Sequence, residues 1–206
     1  MLNRKIAQYL DRFAVSKKRN ALLITGARQV GKTTLFNELA QGYDGKKLFL
    51  NCDEPEVKET LQNINARDLK LLIADNKLVI IDEAQRVPQV GLVLKRIADN
   101  FKDVQLMVTG SSSLDLRDRL NEPLTGRKLE YRLFPISSKE IYDAQGLIAV
   151  KQALHSRMIY GSYPDVLNNP ENAKEILLNL SNSYWYKALL SFEEIRKPAL
   201  LEKLLV

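Results

Sequence analysis

ALLITGARQVGKTT, residues 21–34, decides how this chain is read. An apolar run, Ala21-Leu22-Leu23-Ile24, leads into a turn bracketed by Gly26 and Gly31, and Lys32-Thr33-Thr34 follows. The run is short and aliphatic, as a buried strand is. Beyond the turn, Leu35, Phe36, Leu39 and Ala40 recur at helical spacing. The pattern is Gly, four residues, then Gly-Lys-Thr, between a strand and a helix. Such a turn can cradle a phosphate. Two glycines let the backbone curl so that successive N–H groups point inward, and the helix starting near Lys32 adds the partial positive charge of its N-terminus. The expected phosphate-binding residues are Gly26, Ala27, Arg28, Gln29, Val30, Gly31, Lys32, Thr33 and Thr34. In this pattern Lys32 reaches the β- and γ-phosphates of a nucleotide, and the Thr33 hydroxyl holds Mg²⁺.

A second stretch completes the chemistry. LVIIDEAQ, 78–85, is an aliphatic strand ending in two acids. An acid at the tip of a buried strand, here Asp82, holds Mg²⁺ in P-loop enzymes. Glu83 follows, where it can orient and deprotonate an attacking water. An Asp-Glu pair therefore points to hydrolysis by water. VTGSSS, from Val108, ends another strand in small polar residues, with Thr109 and Ser111 as candidates for touching the γ-phosphate or the water; a hydroxyl-rich turn is the plainer alternative. Arg127, in LTGRK, can stabilise transition-state charge from the same chain or a neighbour. Arg117 and Arg119 are weaker candidates for that role.

Around these motifs, strand-like segments alternate with helix-like ones. Strands are expected at 21–25, 46–52, 77–82, 104–110 and 127–136, and helices at 32–41, 56–75 and 89–101. Alternation of this kind indicates a parallel α/β sheet. KLVIID is apolar on both faces, as a central strand must be. After Pro135 the texture becomes helical. Ser137 or Ser138 is the expected N-cap, and the turn-rich GSYPDVLNNPEN, 161–172, separates two helices. The expected division is an ATPase-type domain over 1–145, including an amphipathic N-terminal helix over 1–18, and a helical second domain over 146–206. RKPALLEKLLV closes the chain with Leu200, Leu201, Leu204 and Leu205 apolar, which reads as a fragment cut inside a helix.

The totals limit the function classes. At 206 residues, 45% hydrophobic and 27% charged, the composition is that of an ordinary globular domain with an adequate core. No apolar run is long enough to span a bilayer. The N-terminus has no secretory signal pattern, and one cysteine permits no internal disulfide, so the expected location is cytoplasmic, without membrane contact. The net charge of +6 permits nucleic-acid contact without requiring it, and Lys17-Lys18-Arg19 reads as a solvated turn. His155 is the single histidine and reads as structural, which with one cysteine speaks against a zinc site. Cys52 reads as buried and inert. Tyr184, Trp185 and Tyr186 read as interdomain packing rather than base stacking.

ALLITGARQVGKTTL, LVIIDEAQRVP, LMVTGSSSLDL, LTGRKLEYRLFPISSKEIY and YGSYPDVL, in that order, resemble the prokaryotic AAA-type ATPases that carry a C-terminal restriction-nuclease-like domain of unknown function. The similarity runs from about residue 18 to 190. The first two motifs are generic to hydrolytic P-loop ATPases, whereas the last two make the resemblance specific. It implies a P-loop NTPase fold with a five-stranded parallel sheet in the order 5-1-4-3-2, helices on both faces, and a partial helical, winged-helix-like domain after about residue 145. It implies ATP or ADP with Mg²⁺ as ligands. Lys32 and Thr33 take the P-loop roles, Asp82 and Glu83 the acid roles, and Arg127 matches a recurrent Gly-Arg. Family members run well past 206 residues, so a further C-terminal domain is an expected partner, with DNA, another protein or a second copy of the chain left open. The expected activity is Mg-dependent ATP hydrolysis coupled to movement of C-terminal domains. The alternatives are a slow nucleotide-dependent switch, a DNA-associated binding module and, third, a P-loop kinase. No second-sensor arginine or arginine-finger pattern is recognisable, so ring assembly is not implied.

Overall fold

In the computed structural model, residues 6, 7, 10, 13, 21–111 and 128–190 are described, the last eight by backbone alone. Strand β1 (Ala21–Gly26) leads through the glycine-bracketed turn into helix α1 (Lys32–Gly42). Strand β2 (Lys47–Asn51) and helices α2 (Pro55–Asn63) and α3 (Ala66–Ile73) follow. Strand β3 (Leu78–Asp82) ends in a single 3₁₀ turn (Ala84–Arg86) before helix α4 (Val90–Asn100). Strands β4 (Gln105–Ser111) and β5 (Lys128–Leu133) complete the sheet. Helices α5 (Ser138–Tyr160), α6 (Pro164–Asn168) and α7 (Ala173–Leu190) come last.

The strands lie in the order β2-β3-β4-β1-β5, every pair parallel. This is the expected 5-1-4-3-2 order, read from the other edge. Side chains on a strand alternate between faces, and the core divides accordingly. On one face Leu23, Val79, Ile81, Leu106 and Val108 pack beneath α2, α3 and α4, through Leu61, Leu69, Ile73, Leu94 and Ile97. On the other, Leu22, Ile24, Leu78, Ile80 and Met107 meet Leu35, Phe36 and Leu39 of α1, together with Leu10 and Phe13. Covering both faces is what a parallel sheet requires.

Two expectations change in detail. The single long helix over 56–75 is two helices. Asn65 breaks the run because its side-chain oxygen accepts from the Arg67 and Asp68 N–H groups, both at 2.9 Å, and so starts a new helix. The helix after Pro135 takes Ser137 as its cap. Ser137 Oγ accepts from the Glu140 N–H at 3.2 Å, while the Glu140 carboxylate accepts from the Ser137 N–H at 2.8 Å. Helix α5 is interrupted at Gly146 (φ 83°, ψ 179°), beside the expected division between domains. No helix among the described residues is long and apolar enough to cross a membrane.

Candidate active site

Parallel pairing brings the C-terminal ends of the strands to one edge, with β4 between β1 and β3. The turn after β1, the acids after β3 and the tip of β4 meet there, the usual place for a ligand in an open α/β sheet.

The turn is shaped differently from what its two glycines lead one to expect. Positive φ falls on Gln29 (59°) and Gly31 (94°), so these two residues curl the chain. Gly26 meets a different need. It pairs with Leu133 across β5, and a Cβ placed on it would lie 2.5 Å from the Leu133 carbonyl oxygen. Val30, wholly buried among Leu35 and Phe36, anchors the turn to the core. Gln29 and Thr34 are exposed, and Ala27 and Arg28 partly so. Helix α1 then begins on Gly31, with no side chain capping it, so the cap leaves the helix N-terminus clear of competing side-chain acceptors.

Lys32 is 4% exposed, and its ammonium donates to the carbonyl oxygens of Gly26 at 3.0 Å and Ala27 at 2.9 Å. Burial holds its pKa below the usual lysine value, opposed by the carboxylates of Glu83 and Asp82. The hydroxyl of Thr33 donates to Asp82 Oδ2 at 2.7 Å, across 49 residues of sequence. The Thr109 hydroxyl donates to the other oxygen of Asp82, and Thr109 is fully buried. Asp82, 2% exposed, is thus held on both oxygens.

Glu83 takes a left-handed backbone conformation (φ 51°, ψ 41°), uncommon for a residue with a side chain. Its N–H donates to Asp82 Oδ1 and to Thr109 Oγ1, both at 3.1 Å, which stabilises the turn. Backbone in such a region persists where its surroundings fix it, and such positions cluster at functional sites. The Glu83 carboxylate accepts from the side-chain amide of Gln85. Gln85 in turn accepts from the Ser111 N–H at 3.2 Å. Sequence gives Gln85 no signal beyond its place two residues after Glu83.

Two further residues come near the turn. Tyr163 packs against the same core cluster as Val30, and Pro164 Cγ lies 4.0 Å from where a Cβ on Gly31 would be. GSYPDVL therefore sits beside the glycine-bracketed turn, fixed by an Ile136 N–H to Ser162 carbonyl bond of 2.9 Å. His155 is exposed and remote from these motifs in sequence. Cys52 is buried, and burial beside Asp82 and Asp53 pushes its thiol up to about 12. Arg117, Arg119, Arg127 and Lys17-Lys18-Arg19 lie outside the described residues, as do the side chains of Tyr184, Trp185 and Tyr186. No cluster of three or more His, Cys, Asp or Glu suited to a metal occurs among the described residues.

Thr33 and Asp82 still fit Mg²⁺, as hard oxygen donors within hydrogen-bond distance of each other beside the glycine-bracketed turn. Such sites keep several waters and share the ion with substrate phosphates rather than enclosing it in an all-protein cage.

A family model described as an AAA domain matches residues 18–142. An uncharacterized protein of Methanocaldococcus jannaschii is 26% identical over 190 residues, covering 84% of this chain and 43% of that protein. An uncharacterized protein of Mycobacterium tuberculosis is 32% identical over 123 residues, covering 56% of this chain and 26% of that protein. The chain therefore spans less than half the length of either relative. Among solved structures, the Walker-type ATPase PABY2304 of Pyrococcus abyssi aligns with a TM-score of 0.59 at 15% identity, over 95% of this chain and 77% of that one. Domain III of the Thermotoga maritima replication initiation protein DnaA aligns at 0.50 and 14% identity, over 78% of this chain and 86% of that one. At these identities the likeness is one of fold.

Proposed function

We propose, for a chain that belongs to the AAA domain family over residues 18–142, that it binds Mg-ATP at residues 26–34 and hydrolyses it with water. The observation that carries this reading is the 2.7 Å bond from Thr33 to Asp82. It joins the first residues of α1 to the tip of β3, which is where a nucleotide's phosphates and their ion have to meet.

The N–H groups of the turn and the start of α1 bind the phosphates, and Lys32 exchanges its two carbonyl partners for β- and γ-phosphate oxygens. Thr33 and Asp82 hold Mg²⁺, whose chemistry is to neutralise charge on the phosphate oxygens. Glu83 accepts the proton of the attacking water. That water's oxygen forms the new bond to the γ-phosphorus, and the bond to the bridging oxygen breaks, leaving its electron pair on ADP. Thr109 acts from behind, holding Asp82 and the Glu83 backbone in place. Arg127 is proposed to stabilise charge on the transferring group.

The approach of Pro164 to Gly31, with Tyr163 on the same core cluster as Val30, supports a further part of the reading, that nucleotide state moves the helical segment after Gly146. The test is phosphate release from ATP with and without Mg²⁺, across protein concentrations, for wild type, Glu83→Gln and Lys32→Ala. Expected is Mg-dependent release lost in both variants, with nucleotide binding kept by Glu83→Gln. Release that climbs per protomer with concentration means a site completed by a second copy. Equal release from wild type and Glu83→Gln refutes the hydrolytic reading. Tight nucleotide binding with negligible release makes the chain a switch.

A further inference from the structure

The proposed catalytic glutamate is held by Gln85, a residue of the same LVIIDEAQ stretch to which the sequence alone assigns no role. The Gln85 side chain bridges the turn after β3 and the end of β4. Its Nε2 donates to the Glu83 carboxylate, and its Oε1 accepts from the Ser111 N–H at 3.2 Å. The two ends fix the amide's orientation between them. A backbone N–H can only donate, so it must face Oε1. An ionised carboxylate can only accept, so it must face the NH₂ group. A flipped amide would lose both bonds at once.

The far end of this bridge is also informative. Ser111 is the register partner of Gly26, the first residue of the phosphate-binding turn. One line of contacts therefore runs from Gly26 on β1 to Ser111 on β4, through Gln85, to Glu83. The Glu83 backbone is set by Asp82 and Thr109. Its carboxylate, three rotatable bonds further out, receives the Gln85 amide bond tied to β4.

We propose that Gln85 is a positioning residue for hydrolysis. It aims the Glu83 carboxylate and sets it relative to the phosphate cradle through the tip of β4. This rests on the hydrolytic reading of the site and names a residue which that reading does not require.

The test compares steady-state hydrolysis and fluorescent-ATP binding for wild type, Gln85→Met, Gln85→Asn, Glu83→Gln and the Glu83→Gln/Gln85→Met double variant. Methionine keeps the length and loses both bonds, whereas asparagine keeps the amide and is one methylene too short to span both partners. Expected is a fall in kcat of roughly 10- to 100-fold in either Gln85 variant, the size of a misplaced reacting group. Nucleotide affinity should stay within about two-fold of wild type, which also shows that the variants are folded. Because Gln85 acts through Glu83, the double variant should be no slower in single turnover than Glu83→Gln alone.

A kcat within about two-fold of wild type in both Gln85 variants overturns the proposal while Glu83-dependent hydrolysis stands. So does a double variant that loses the product of the two single effects. A fall in rate matched by a fall in affinity overturns it in favour of a purely structural role. Hydrolysis that does not depend on Glu83 in the wild type removes the underlying reading, and this proposal with it.

Discussion

Replacing Gly26 with alanine should destabilise the fold even without nucleotide, by an amount its surroundings set. A Cβ there would lie 2.5 Å from the Leu133 carbonyl oxygen, 3.3 Å from that carbonyl carbon and 3.2 Å from Val30 Cγ2. The nearest neighbour is backbone paired in the sheet, so it cannot turn aside as a side chain could, and β5 must move away from β1. Overpacking of this kind costs about 1–3 kcal/mol, and a rigid partner places the loss in the upper half of that range. For a chain of this size, about 2–3 kcal/mol lowers the melting temperature by roughly 4–12 °C. Gly31 provides the control. It has φ 94° with open space around it, the nearest atom being Pro164 Cγ at 4.0 Å. Alanine there meets a backbone penalty of about 1–2 kcal/mol rather than a clash. Asparagine visits left-handed backbone more readily than alanine, so at position 31 it should recover part of the loss. At position 26 it should recover nothing, because the clash lies at Cβ itself. Urea unfolding of the four variants without nucleotide reads this out. Asparagine outperforming alanine at position 26, or a Gly26→Ala loss below about 0.5 kcal/mol, a typical neutral surface change, would refute the reasoning.

Thr109→Val keeps the buried shape and removes the hydroxyl shared by Asp82 and the Glu83 N–H, so it should cost about 1–3 kcal/mol in urea unfolding; Thr109→Ser should lose much less. Cys52 should resist thiol reagents at pH 8 in the native state, at a rate about 100-fold or more below that in urea, because thiolate is the reacting form. The sign for stability follows from the same shift: the native thiol keeps its proton above pH 9.0, where the unfolded chain loses it, so its contribution is complete below that pH and declines as pH rises towards about 12. Cys52→Ser should remove that part of the alkaline loss in a pH series of unfolding curves. Asn65→Ala should cost about 1 kcal/mol, because the Arg67 and Asp68 N–H groups lose their acceptor; an unchanged midpoint in urea would refute the cap.

Much of this molecule is legible in its sequence, for local reasons. The three inner strands are short, largely aliphatic runs whose alternate residues divide between the two faces of the sheet, as Leu78 and Ile80 against Val79 and Ile81 show. The turn 26–31 is marked by residue types that the backbone itself demands, and Asp82 and Glu83 by their place at the end of a strand apolar on both faces. Reading failed where a local signal was ambiguous or lay too far away. Asn65 is one polar residue in a run of helical spacing, and only its bonds to Arg67 and Asp68 distinguish a cap from a surface position. Gly26 and Gly31 look alike in the motif, yet one is needed for close approach to β5 and the other for its φ.

The sequence by itself determined the alternation of strands and helices, and with it a parallel sheet covered on both faces, because each element is specified by its own periodicity and turn residues. It determined the glycine-bracketed turn and the acid pair as chemical groups. Only the tertiary structure decided what those groups touch. The order β2-β3-β4-β1-β5 sets β4 between the two motifs, and this brings Thr33 to Asp82, Thr109 beneath both acids, and Gln85 between Glu83 and Ser111. Tyr163 and Pro164 come to the turn in the same way, more than 130 residues on from Gly31 by their numbering. The physical reason is that a side-chain hydrogen bond across 26 or 49 residues leaves no periodicity in either segment. It exists only once the strands are paired in register.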